Sequence, residues 1–187
     1  MMEYRKINIA DKEYPEKLRM IKSPPRNLYT IGNLRLLKED SISVVGTRHI
    51  TDYGERYGKL ICKEIAARGI TIVSGMAIGS DELAHRVALE SSGKTIAVLP
   101  SGFENIFPKK NTKLFNKIVK KGGLAVSEYE PKICANSERF LERNRIVAGL
   151  GIGLFVIEAL FRSGTSVTAK IAKEQGKDVF ALPRKFR

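Results

Sequence analysis

Six short apolar runs alternating with helix-length amphipathic segments predict an α/β protein: a doubly wound, mostly parallel sheet with helices on both faces. The runs cover residues 42–45, 70–73, 95–99, 124–126, 154–157 and 179–182, and none shows the in–out alternation of a half-exposed strand. Strands buried on both faces read this way. Between them, apolar residues recur at three- and four-residue spacing, as in helices that cover a sheet. The pattern is Rossmann-like, and ligands of such folds sit beyond the carboxyl ends of the strands.

In chain order, residues 1–40 form a lead-in rather than a separate domain. Tyr14-Pro15, Pro24-Pro25 and the run from Leu28 to Gly32 predict a short helix, a fixed turn and an edge strand. Leu18, Met20, Ile21 and Leu34 are its expected anchors on the main sheet. Residues 41–187 make up the regular domain. Strand 42–45 ends at Gly46-Thr47-Arg48, and a helix over 53–68 follows, with Tyr57, Leu60, Ile61 and Ile65 on one face and Gly69 as its stop. Strand 70–73 turns through Ser74, Gly75 and Gly79 into a helix from Asp81, with Leu83, Ala84, Val87 and Ala88 on one face and Gly93 closing it. Strand 95–99 leads through a Pro/Gly-rich loop to Pro108 and a basic helix over 111–121, ended by Gly122-Gly123. Strand 124–126 and a polar segment with Pro131 precede a helix over 137–149. The most hydrophobic strand, 154–157, ends at Glu158. The loop from Arg162 to Thr165 then opens a last helix, which runs to Gln175 and is capped by Gly176 before strand 179–182.

With 187 residues, the chain can bury roughly 70% of its unfolded surface as one domain. It carries 33 Lys and Arg against 20 Asp and Glu, a formal net charge of +13. Such an excess favours a polyanionic partner, nucleic acid before an anionic membrane, and a basic surface kept for solubility is the plainer account. Residues 1–14 lack the apolar segment of a signal peptide, and no apolar run nears the roughly 20 residues of a membrane span. Cys62 and Cys134 fit no metal or redox spacing and are expected to be reduced core thiols. A cytoplasmic protein without membrane contact, metal site or cofactor is the expectation.

Three strand ends turn through small residues into helices: Gly46-Thr47-Arg48, Ser74-Gly75 with Gly79, and Ser163-Gly164-Thr165. In a parallel sheet all three share one edge, where backbone N–H groups at helix starts can cradle phosphates. Each alone is equally a tight strand-to-helix turn. The dinucleotide fingerprint G-x-G-x-x-G and the P-loop with its Lys are both absent from these turns. Arg48, directly after a strand-end glycine, can fork onto phosphate oxygens or be an ordinary surface arginine. Lys109, Lys110 and Asn111 follow Pro108 at another strand end, and Arg139, Arg143 and Arg145 flank Phe140. Cations beside a ring suit a single nucleic-acid strand, whose phosphates need charge and whose bases need a stacking face. A solvated helix face would read the same way.

Asp81 and His85, four residues apart, could work as an acid/base pair, but a structural account is preferred. An Asp in a first helical turn complements the helix dipole, and a nearby His bonds to it or to backbone. Glu158 has no second carboxylate, nucleophile or metal cluster in register with it. Nothing in the pattern specifies catalysis.

These segments in their order resemble the DNA-processing protein A family, also called Smf. The resemblance is carried by Ser43-Val44-Val45-Gly46-Thr47-Arg48, by Ser74-Gly75-Met76-Ala77-x-Gly79-x-Asp81-x2-Ala84-His85, and by Phe107-Pro108-Lys109-x-Asn111. Arg139-Phe140-x2-Arg143-Asn144-Arg145, Glu158-Ala159, Ser163-Gly164-Thr165 and Val179-Phe180-Ala181-x-Pro183 extend it over nearly the whole chain. It implies an extended Rossmann fold that binds single-stranded DNA without catalysis. It also implies protection of incoming strands in natural transformation, help in loading the RecA recombinase, and assembly as a homodimer. Arg48 and Lys109 match basic positions that contact the DNA backbone, a role extended to Gly46, Thr47, Ser74, Gly75, Ser163, Gly164 and Thr165. Many members carry a winged-helix domain after the last strand and a small helical domain at the front, and this chain is expected to be the bare core.

A different class of reading is an enzyme on a small nucleotide, similar to the lysine-decarboxylase-like phosphoribohydrolases. Those use a Gly-Gly-x-Gly-Thr turn with a Glu nearby. Here Arg162-Ser163-Gly164-Thr165-Ser166 has no second glycine pair and no acid after Thr165. A scaffold that docks RecA with little DNA affinity of its own is the third.

Overall fold

In a computed structural model, which describes residues 3–183, the lead-in supplies β1 (Arg5–Asn8), α1 (Glu16–Arg19) and β2 (Asn27–Gly32). The regular part follows as β3 (Ser41–Val45), α2 (Asp52–Ala67), β4 (Thr71–Ser74), α3 (Ser80–Glu90), β5 (Thr95–Leu99) and α4 (Thr112–Lys120). It ends with β6 (Leu124–Ser127), α5 (Ser137–Leu150), β7 (Gly153–Val156), α6 (Gly164–Glu174) and β8 (Asp178–Ala181). All eight strands join one sheet in the order β1-β2-β6-β5-β4-β3-β7-β8. The six strands from β6 to β8 run parallel, as their uninterrupted apolar character predicts.

The chain lays down β3 to β6 in one direction, then returns past β3 to place β7 and β8 on its other side. Winding therefore reverses between β3 and β7, where a crevice opens at the carboxyl ends of the strands. α2, α3 and α4 cover one face of the sheet, while α5, α6 and α1 cover the other. Helix starts are capped by side chains where the sequence offers them. Thr51 accepts from the Gly54 N–H at the head of α2, and Asn136 accepts from the Arg139 N–H at the head of α5.

The lead-in departs from expectation. β2 is no edge strand, because it pairs antiparallel with β6 on one side and with β1 on the other. The outer position belongs to β1, whose polar Arg-Lys-Ile-Asn run holds one buried residue, Ile7, and so gave too little apolar signal. Leu18 and Ile21 are buried as expected and Leu34 is half-buried, but Met20 is 79% exposed. Met20 caps the end of the four-residue α1, two residues past the inward-facing Leu18 and so on the other side of the helix.

α2 also buries a different stripe from the expected one. Gly54, Gly58, Cys62 and Ala66 face inward, whereas Tyr57 and Leu60 are exposed and Ile61 and Ile65 are half-buried. The small side chains let the helix approach the end of β7 closely: a Cβ on Gly58 would sit 2.9 Å from Ile157 Cδ1. Cys62 is a core thiol, with its pKa pushed up to about 12 by burial, but Cys134 is exposed in the loop before α5. Among the described residues no helix is long and apolar enough to cross a membrane.

Candidate nucleic-acid interface

The turns after β3, β4 and β7 share one rim, as a parallel sheet requires, and a cleft of about 730 Å³ lies over the reversal point. Gly46, Thr47 and Arg48 line the cleft after the central strand β3, with Gly75 after β4 to one side and Ser163, Gly164 and Thr165 after β7 to the other. The Thr47 turn is pinned: its N–H donates to the Glu158 carbonyl at 2.8 Å, and its own carbonyl accepts from Ser80 N–H and Oγ. Arg48 projects from this fixed turn, exposed and with no carboxylate partner among the described residues. Its guanidinium carbon lies 5.4 Å from the centroid of the Phe140 ring. At the start of α6, Ser163 Oγ accepts from the Ser166 N–H. The Gly164 and Thr165 N–H groups find no acceptor among the described residues, leaving the positive end of that helix open.

Several predicted residues support the rim rather than line it. Ser74 is buried and donates to the Val44 carbonyl at 2.6 Å, tying β4 to β3. Gly79 takes φ +81°, and a Cβ there would stand 2.6 Å from the carbonyl oxygens of both Thr47 and Arg48, so only glycine lets the two turns touch. Asn111 is buried as well. Its Nδ2 donates to the carbonyls of Met76 and Ala77, which holds the β4–α3 loop.

The cations divide in the same way. Arg143 is 5% exposed, donates to the Val98 carbonyl at 2.6 Å, and reaches the Phe140 ring at 5.8 Å. It lines the cleft floor as a buried charge rather than a free surface group. Arg145 faces away. It donates to the Ser23 carbonyl at 2.8 Å and pairs with Glu128 at 2.6 Å, locking α5 to the lead-in. Residues two apart on a helix lie on opposite sides, so grouping Arg143 with Arg145 could not hold. Lys109 and Lys110 are exposed on the same rim, beyond the end of β5, but outside the wall of the cleft. Their loop reaches the cleft through Phe107, which meets the Phe140 ring edge-on at a centroid distance of 5.6 Å.

The floor of the cleft holds a buried polar group that includes Asp81 and Arg143. Asp81 and the Arg143 guanidinium close on Gly75 so tightly that a Cβ there would fall on both. Burial raises the Asp81 pKa, opposed by Arg143 and by the Ala77 N–H it accepts. His85 does not meet Asp81. Its Nε2 is 2.5 Å from the Gly75 carbonyl and its Nδ1 is 2.7 Å from Thr95 Oγ1. A carbonyl only accepts, so Nε2 carries the proton. Burial, and Arg143 after it, pulls the imidazole down against the Gly75 bond, to a pKa of about 4. Glu158 likewise turns outward, accepting from the Thr51 N–H at 2.9 Å and Thr51 Oγ1 at 2.6 Å. Two cleft residues, Phe107 and Leu160, carried no role in the sequence reading. Their signal was an aromatic beside cations and an apolar residue in a loop.

The sequence profile of the DNA recombination-mediator protein A family matches residues 5–187. The chain belongs to this family. Among its members, protein Smf of Escherichia coli is 43% identical over 175 residues, covering 93% of this chain and 47% of that protein. DNA processing protein DprA of Bacillus subtilis is 39% identical over 178 residues, covering 95% and 60%. This chain thus spans about half to three-fifths of these relatives. The X-ray structure of DprA from Streptococcus pneumoniae superimposes with a TM-score of 0.91 at 38% identity, covering 98% of this chain and 64% of that one. DprA from Helicobacter pylori, whose structure was described for its single-stranded DNA binding mode, gives 0.88 at 31%, covering 100% and 83%. A molybdenum cofactor binding protein from Rippkaea orientalis shares the fold alone, with a TM-score of 0.55 at 20% identity over 79% of this chain and 78% of that one.

Proposed function

We propose that this chain binds single-stranded DNA, the ligand described for its Helicobacter pylori relative, and that it does so along the rim, with residues 41–187 as the binding domain and 1–40 as its lead-in. The observation that carries this reading is Arg48: exposed, unpaired among the described residues, propped on Phe140, and beside the open first turn of α6. Phosphates would take Arg48, the Gly164 and Thr165 N–H groups, and then Lys109 and Lys110 farther along the same rim. Charge and N–H groups of this kind read no sequence, so binding is tolerant of it.

The test is a salt titration of binding to labelled oligothymidine, with duplex of equal length as competitor. Three free cations predict a log–log slope of roughly −2. An affinity that ignores salt, or that duplex competes away equally, overturns the reading. The same bound strand is what the chain would shield and pass to the RecA recombinase in the cytoplasm, acting as a homodimer. Nuclease protection, a RecA loading assay and sedimentation each check one of these roles. Against the enzymatic alternative stands Glu158, whose carboxylate accepts two bonds from Thr51 and is not among the residues that line the cleft.

A further inference from the structure

The single-strand reading leaves open where the bases go. Phe140 is a poor platform: it is half-buried, two guanidinium groups lie within 6 Å of its ring centroid, and Phe107 meets it edge-on. The loop between β7 and α6 offers another ring. Leu160 is 70% exposed and Phe161 is 89% exposed, side by side at the mouth of the cleft, where Leu160 forms part of the wall. Single exposed apolar residues are common on protein surfaces, but an adjacent pair at the edge of a polyanion-binding cleft is not explained that way.

The following residue, Arg162, takes φ +55°, a left-handed conformation that non-glycine residues seldom adopt. Its guanidinium carbon stands 5.3 Å from the Phe161 centroid. One face of the ring is thereby backed by a cation, and the rest is open to solvent. Three residues after Phe161 comes Gly164, whose N–H, like that of Thr165, has no acceptor among the described residues. Three residues reach at most about 10 Å, so ring and N–H groups lie within the span of one nucleotide and its neighbour.

We propose that Phe161 is a base-stacking platform for unpaired nucleobases at the mouth of the cleft. It rests on the single-strand reading above and adds the site that takes the bases. A base packs on the ring face away from Arg162, while a phosphate of the same or the next nucleotide takes the first turn of α6. Leu160 covers the edge of the stack. A duplex, whose bases are already paired and stacked, cannot present this face, so the platform also selects single strands.

The chain contains no tryptophan, so Phe161→Trp adds a lone indole reporter. The variant is titrated with oligothymidine and with an abasic deoxyribose-phosphate oligomer of equal length, while anisotropy of a labelled strand reports occupancy. Oligothymidine quenches the indole along the binding curve, and the abasic oligomer binds without quenching. Phe161→Ala weakens oligothymidine roughly tenfold and leaves the abasic oligomer unchanged. Full binding with no quench, or equal losses for both oligomers, overturns the platform while leaving the strand-binding reading intact. Absence of any salt-sensitive binding by the unaltered chain removes both.

Discussion

Arg48 and Phe140 are far apart in the sequence and meet at the cleft, with the guanidinium carbon 5.4 Å from the ring centroid. One stands on the turn after β3 and the other in the first turn of α5. The ring holds a long, otherwise free side chain in place and so lowers the entropy lost when a phosphate arrives. Arg48→Ala should weaken oligothymidine binding roughly tenfold at low salt and make the log–log slope shallower by about 0.7. Arg48→Lys should keep the slope but lose affinity. A double-mutant cycle with Phe140→Ala should give a coupling of about 0.5–2 kcal/mol, and strict additivity would mean the contact has no energetic role.

Gly79 is the joint between two turns of the rim. Gly79→Ala must place a Cβ 2.6 Å from two carbonyl oxygens in a backbone conformation that L-residues avoid. The expected outcome is a loss of about 2 kcal/mol or more in urea denaturation, with weaker DNA binding because the Arg48 turn shifts. Unchanged stability and affinity would show the two turns to be independent.

His85 makes stability depend on pH. Its folded pKa is near 4, whereas an unfolded histidine titrates near 6.5, so between those values the unfolded chain binds more protons. The contribution is complete above about pH 6.5 and is lost as the pH falls toward 4, by about 2 kcal/mol at pH 5. Asp81 works the other way in acid: its raised pKa lets the folded state take up a proton first, which offsets part of the loss. Denaturation curves at pH 7.5 and pH 5 for the unaltered chain and for His85→Gln isolate the histidine. The variant should lack the steep drop.

Glu158 should matter for stability and not for chemistry. Glu158→Gln weakens a charge-assisted pair of bonds to Thr51 and should cost about 1 kcal/mol, with oligothymidine affinity unchanged. Incubating the chain with nucleoside monophosphates should release no free base. Release that disappears in Glu158→Gln would restore the enzymatic reading.

The sequence by itself determined the alternation of strand and helix, the parallel character of the sheet, and the placing of three small-residue turns on one rim. Each follows from patterns a few residues long: uninterrupted apolar runs, three- and four-residue spacing, and glycine at strand ends. Only the tertiary structure decided which side chains face the cleft. Arg143 and Arg145 are two residues apart, yet one reaches the cleft floor and the other pairs with Glu128 and bonds the Ser23 carbonyl of the lead-in. Asn111 follows two exposed lysines but is buried against the Met76 carbonyl. The polar β1 became a strand only because β2 offered it an edge, and α2 buried its glycines because β7 lay close. Partners from distant parts of the chain settle such choices, and no local pattern encodes the distance between them.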